Sequence, residues 1–164
     1  MERIETTAIR NLIHNEEYCR KVLPFIKEEY FIDRLEKLIF TEIYNFVNKY
    51  NNLPTKESLS IEMNTNKGVS EDEYKRMNEI ISSLNPEPIN LDWLVETTEV
   101  WCKDRAIHNA ILGGIQILDG KDKDHTPEYL PELLTEALSV SFDQKVGHDY
   151  LLESKERYEY YNRK

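Results

Sequence analysis

Residues 91–118, LDWLVETTEVWCKDRAIHNAILGGIQIL, form the longest segment with helical periodicity and decide how the chain is interpreted. Asn90 precedes them as the predicted N-cap, because its side-chain oxygen can accept a hydrogen bond from the first turn. One apolar face of this helix carries Trp93, Val100, Ile107, Ile111, Ile115 and Leu118, and a second carries Leu94, Trp101 and Leu112. A helix with two apolar faces usually packs on two sides. Either both sides lie inside the domain, or one of them contacts another subunit.

A second helix is predicted to follow and to pair with the first. Residues 119–124, DGKDKD, have the composition of a solvated turn. Thr126 and Pro127 suit the N-cap and the first position of the next helix. Its apolar residues are Leu130, Leu133, Leu134, Ala137 and Leu138. The two segments therefore predict a helical hairpin over about 90–142.

Helical periodicity also runs through the first 85 residues. Apolar residues recur at helical spacing over 4–13 and again over 16–23, where the pattern stops at Pro24. Asp33 precedes the strongest pattern, which predicts the core helix. Its apolar face consists of Leu35, Leu38, Ile39, Ile43, Phe46, Val47 and Tyr50.

Two further helix starts are marked by capping residues. Thr55 can cap a short helix over 56–64, and Ser70 begins a capping box with Glu73. The chain has only five glycines and six prolines, which suits long helices better than many short strands. We therefore predict an all-α fold with a compact helical head over about 1–85, then the long hairpin, then a C-terminal linker helix.

The charge is strongly acidic, with a formal net charge of -10. Residues 51–149 contain nine basic and nineteen acidic side chains. Such a surface repels phosphate, so tight binding of DNA by these residues alone is not expected. An acidic face is most often simply solvated, although it can also meet a basic protein partner. Cys19 and Cys102 match no zinc or redox spacing and are predicted to be buried thiols.

Motifs for catalysis or ligand binding are not recognisable. The Gly120-Lys121 pair is followed by Asp122 where a phosphate loop needs a hydroxyl residue. The four histidines lack the spacing of a zinc site. Neither a signal peptide nor an apolar run long enough to span a membrane is seen, so no membrane association is expected. We expect no catalytic activity from these residues.

The C-terminal tail combines tyrosines with basic residues. Tyr158, Tyr160 and Tyr161 lie among Arg157, Arg163 and Lys164. Aromatic and basic side chains in alternation can bind single-stranded DNA. Glu153, Glu156 and Glu159 cancel much of the positive field, which favours a linker helix whose tyrosines dock on protein.

Three sequence strings resemble the N-terminal domains of DnaB-like helicases, and two of them resemble the tailed-phage branch in particular. EEYF at 28–31, followed by LEKLIFTEI at 35–43, is similar to the element that opens the core helix. WLVETTE at 93–99, continuing to RAIHNA at 105–110, resembles the first hairpin helix. ALSVSFD at 137–143 and VGHDY at 146–150 resemble the segment before the linker helix.

This resemblance implies a domain order and a role. Family members have an N-terminal collar domain, a linker helix and a RecA-like ATPase domain that uses ATP and magnesium, and six subunits form a ring. By this resemblance residues 1–145 are the collar domain, and residues 146–164 lead to an ATPase domain that these residues do not include. No cofactor is expected in this part, whereas the parent protein is implied to be an ATP-dependent DNA helicase.

The resemblance also implies partners in the cytoplasm of an infected bacterial host. The parent is expected to be a homo-hexamer that contacts phage primase and a helicase loader, and these residues alone are expected to form a dimer or a monomer. The predicted subunit or partner interface comprises Trp93, Trp101, Ile111, Leu112, Ile115, Leu133 and Leu134. Predicted linker contacts are Leu151, Leu152, Tyr158 and Tyr161. The alternative is a stand-alone helical interaction protein, such as a helicase loader or accessory factor.

Overall fold

Every regular element in the computed structural model, which describes residues 2–142, is a helix. The seven α-helices in these residues are α1 (Ile4–His14), α2 (Glu16–Val22), α3 (Arg34–Tyr50), α4 (Lys56–Asn64), α5 (Glu71–Ser82), α6 (Leu91–Leu118) and α7 (Leu130–Leu138). Short 3-10 helices cover Leu23–Phe25, Glu28–Tyr30 and Pro127–Tyr129. The predicted all-α fold is confirmed.

Side-chain caps start four of these helices at the residues that the sequence indicates. The backbone N–H of Glu36 donates to Asp33 at 3.0 Å, and that of Trp93 donates to Asn90 at 2.8 Å. Thr55 caps α4, and Ser70 forms the predicted capping box with Glu73. Each cap satisfies a backbone donor that the helix itself leaves unpaired.

The start of α7 differs from the prediction. Thr126 makes no side-chain cap, and the chain first forms the 3-10 turn Pro127–Tyr129. An α-helix beginning at Pro127 would need the backbone N–H of residue 131 to donate to its carbonyl, and Pro131 has no N–H. The regular α-helix therefore begins only at Leu130.

The helices are grouped into two compact units. The first ends at Cys102 and the second begins at Lys103, so α6 contributes residues to both. The boundary between these units, after residue 102, differs from the predicted domain boundary after residue 145. The collar domain over 1–145 and the linker segment over 146–164 stay predictions.

Helix α3 is the centre of the first unit, where it contacts α1, α4 and α5. Leu35, Ile39 and Ile43 are buried on it, as the core-helix prediction requires. The predicted face does not stay buried to its end. Tyr50 is exposed in the last turn and packs its ring on Phe46, with 4.7 Å between the ring centroids.

The part of α6 that belongs to the first unit buries a short polar chain. Thr98 Oγ1 donates to the Leu94 carbonyl at 2.7 Å and lies 2.7 Å from the Tyr18 hydroxyl. Because the one hydroxyl hydrogen of Thr98 is used on Leu94, the Tyr18 hydroxyl is the donor to Thr98. Both polar side chains are fully buried and hydrogen-bonded, as buried polar groups need to be.

Both cysteines are free and buried in the first unit, as predicted. Burial raises the pKa of the Cys19 thiol to about 11 and that of Cys102 to about 12. The thiolate is the reactive form, so about a thousandth or less of either thiol is reactive at pH 8. We expect labelling of the folded protein by a thiol reagent to be at least about a hundredfold slower than in urea, and to accelerate as pH rises. Equal rates with and without urea would contradict this burial.

Candidate assembly surface

Small residues line the contact between the two helices of the second unit. Ala110, Gly114 and Ile117 of α6 and Ala137 of α7 are buried in this unit, and Gly114 lies against α7. An ideal Cβ built on Gly114 would lie 3.1 Å from Cδ2 of Leu130, closer than most real Cβ contacts. Because Gly114 has no Cβ, α7 can approach α6 closely at this point.

A glycine turn ends α6 and starts the connection to α7. Gly120 has a φ of 78°, a left-handed conformation that suits glycine. The N–H of Gly120 donates to the Ile117 carbonyl at 3.1 Å, and the N–H of Lys121 donates to the Gln116 carbonyl at 2.9 Å. This pair of bonds is the Schellman motif, which satisfies carbonyls at the end of the helix.

The connecting turn is ordered by Asp122. One of its carboxylate oxygens accepts the Asp124 N–H at 2.9 Å, and the other lies 3.1 Å from His125 Nδ1. The Asp124 N–H bond, and after it the His125 contact, lower the pKa of Asp122. His125 in turn stacks on Tyr129, with 4.1 Å between ring centroids. The turn thus has a defined geometry without a large apolar contact.

Large aliphatic side chains remain on the outside of this second unit, and we call them the hairpin surface. They are Ile111, Leu112, Ile115, Leu118, Leu134 and Leu138, each between 39% and 65% exposed. Single exposed leucines are ordinary, but six on two short helix segments are more than a solvated face needs. Exposed apolar surface of this extent is typical of a protein–protein contact.

Four predicted interface residues belong to the hairpin surface. Ile111, Leu112, Ile115 and Leu134 are all exposed. Leu133 is only half-buried, and its Cδ2 would lie 3.8 Å from a Cβ on Gly113, so it packs partly within the unit. The role of these residues in assembly stays a prediction.

Trp101 requires a correction, because it lies in the core of the first unit and is only 7% exposed. Its ring makes edge contacts with Tyr30 at 6.1 Å and Phe31 at 5.1 Å between centroids. The aromatic residues that precede α3 occupy this side of α6, so Trp101 is not available to a partner. Trp93, by contrast, is exposed on the first unit.

Two members of the hairpin surface were not among the predicted interface residues. Leu118 follows Ile115 by three residues, and Leu138 follows Leu134 by four. Residues at these spacings lie on the same side of a helix. Both leucines belong to the apolar patterns that predict these two helices.

The predicted linker contacts Leu151, Leu152, Tyr158 and Tyr161 lie outside the described residues. Among residues 2–142, no three His, Cys, Asp or Glu side chains are grouped so that they could hold a metal ion. Within the same residues no helix is long and apolar enough to cross a lipid bilayer.

Comparison with known proteins shows that the chain is similar over most of its length to a protein of a bacteriophage. The chain is 32% identical over 151 residues to a DnaB-like replicative helicase of Enterobacteria phage T4. The alignment covers 87% of this chain, and the chain spans 32% of the length of that helicase. No family model matches the chain.

Proposed function

Because the chain is related to the DnaB-like replicative helicases of bacteriophages over most of its length, we propose that it is the non-catalytic assembly domain of such an enzyme. In this proposal it pairs subunits of a hexameric, ATP-dependent DNA helicase and provides a docking site for primase and a helicase loader. ATP and magnesium act in an ATPase domain of the parent protein. The site of action is the cytoplasm of the infected host cell.

The hairpin surface is the observation that carries this proposal. Fully burying one large aliphatic side chain contributes roughly 1.5–3 kcal/mol before the costs of association are subtracted. Those costs amount to several kcal/mol or more, so a surface of one or two such residues would not suffice. Six exposed aliphatic side chains can exceed them if a second copy covers most of the surface.

The proposed mechanism is scaffolding. Two hairpin surfaces that cover each other would hold neighbouring subunits at a fixed distance, while the chemical work of unwinding takes place in the ATPase ring. This role needs rigid helices and exposed apolar side chains, and it needs no nucleophile, general base or metal ligand. The described residues offer helices and apolar surface of this kind.

Self-association at a defined surface is the experimental test. We expect the chain to dimerise in sedimentation experiments as its concentration rises, and we expect Ile111→Glu to weaken the dimer by at least about tenfold, since a buried unpaired charge is costly. Ile61→Glu is the matched control, because Ile61 is also an exposed isoleucine on a helix and lies in the first unit. It should leave the association unchanged. Circular dichroism would verify that both variants fold.

Two outcomes would contradict the proposal. The first is that the chain remains monomeric at the highest concentrations reached. The second is that Ile61→Glu weakens association as much as Ile111→Glu does. Primase docking is tested separately, by measuring whether the purified phage primase binds the chain.

A further inference from the structure

The first three turns of α6 present an apolar surface of their own in the first unit, which we call the Trp93 face. Trp93 is 52% exposed and Val100 is 60% exposed. They are seven residues apart, so they lie on one side of the helix about 10 Å apart along its axis. An aromatic and an aliphatic side chain at this spacing match the contacts of an amphipathic helix.

The first unit does not need the Trp93 face for its own core. The same three turns bury Leu94, Thr98, Trp101 and Cys102 instead. Tryptophan is the residue type most often found at the energetic centre of protein interfaces. Half of its surface stays in water here, although burying it would be favourable.

Negative charge flanks the Trp93 end of this apolar surface, and the exposed Lys103 follows Val100 by one turn at its other end. Asp92 and Glu96 are exposed beside Trp93, and neither forms a salt bridge within residues 2–142. Along the sequence no lysine or arginine occurs between Arg76 and Lys103, whereas five acidic residues do. The potential at the Trp93 face is therefore negative, and it would attract a positively charged partner.

We propose that the Trp93 face binds a basic amphipathic segment of a partner protein. Its apolar side chains would cover Trp93 and Val100, and its lysines or arginines would pair with Asp92 and Glu96. A cation can also lie over the exposed indole ring, since aromatic faces attract cations. The Trp93 face belongs to the first unit and the hairpin surface to the second, and a basic partner differs from a second copy, so the inference goes beyond the proposed self-assembly.

A second copy of this chain fits the Trp93 face less well. Two copies that paired through the same face would bring Asp92 and Glu96 of each close together, and like charges at an interface oppose association. The chain as a whole has a net charge of -10, so its other surfaces offer little positive charge in compensation. The charge pattern thus favours a basic partner over self-pairing.

The test uses a labelled synthetic peptide of about 18 residues, built from lysine and leucine with the leucines on one helical face. We expect fluorescence anisotropy to show binding of this peptide to the chain, and no binding of the matched peptide with glutamate in place of lysine. Trp93→Ala should weaken binding by at least about tenfold, as loss of an interface tryptophan usually does. The double variant Asp92→Asn/Glu96→Gln should weaken it by a similar factor.

The control removes the same charge elsewhere. Glu132 and Glu136 are an exposed acidic pair at the same four-residue spacing on α7. Glu132→Gln/Glu136→Gln should change peptide affinity less than about twofold. All four substituted acids are exposed on helices, so the variants should fold like the parent chain.

Several results would overturn the inference. The first is that the peptide fails to bind at low salt. The second is that both acidic double variants weaken binding equally, because the peptide would then be attracted to the acidic molecule as a whole. A loss of self-association in Trp93→Ala, with peptide binding unchanged, would assign the face to a second copy. Ile111→Glu separates the two proposals, because it should disrupt the dimer and leave peptide binding intact.

Discussion

Replacing Trp101 with alanine is expected to lower the free energy of unfolding by about 3–5 kcal/mol, the cost of removing a large aromatic side chain from a core. Trp101 is buried against Tyr30 and Phe31, and Phe31 continues the cluster to Phe40 at 5.1 Å between ring centroids. Domains of this size are stable by about 5–15 kcal/mol, so the loss is a large fraction of the total. Urea unfolding followed by circular dichroism would measure it.

Trp101→Phe is the control for this prediction. It keeps an aromatic ring in the cluster and removes only part of the indole, including the N–H, which has no hydrogen-bond partner among residues 2–142. We therefore expect a cost clearly below that of Trp101→Ala. Wild-type stability of Trp101→Ala would place the side chain at the surface, where the sequence alone had assigned it.

Replacing Gly114 with valine is expected to separate α6 from α7. A Cβ at this position already lies 3.1 Å from Leu130, and valine adds two further methyl groups. Overpacking of a tight contact costs about 1–3 kcal/mol, because the neighbouring side chain or backbone has to move. We expect a lower midpoint of unfolding and weaker self-association, since Leu134 and Leu138 of the hairpin surface lie on the displaced helix.

Gly113→Ala provides the matched comparison at the adjacent residue. Its Cβ would meet Leu133 at 3.8 Å, an ordinary van der Waals distance. Alanine is favoured over glycine inside a helix by about 0.5–1 kcal/mol, so this variant should be slightly more stable than the parent. A destabilising Gly113→Ala together with a harmless Gly114→Val would refute the geometry of the contact.

Local signals in the sequence predict the helices well. Asp33, Thr55, Ser70 and Asn90 each act within three residues along the chain, so the capping bonds can be inferred without knowledge of the tertiary structure. The predicted start of α7 is wrong for an equally local reason, because Pro131 lacks the N–H that the preceding turn would need.

The site could be predicted only in part, since periodicity shows that a face is apolar but not what covers it. Trp101 and Leu112 share one predicted apolar face, yet the first is buried by aromatic residues that lie some 70 positions earlier and the second is exposed. In the second unit the buried residues of α6 include Ala110 and Gly114, whose small side chains give a weak apolar signal. Contacts distant in sequence decide these cases.

Around the close approach at Gly114 the second unit buries Ile117 but leaves six other large aliphatic side chains exposed. A unit whose buried residues are only Ala110, Gly114, Ile117 and Ala137 among those described has little intrinsic resistance to fraying. Whatever covers the outer leucines and isoleucines would then reinforce the fold itself by mass action. Dilution that separates copies of the chain would then also loosen these helices, so the order of the second unit would depend on the degree of association.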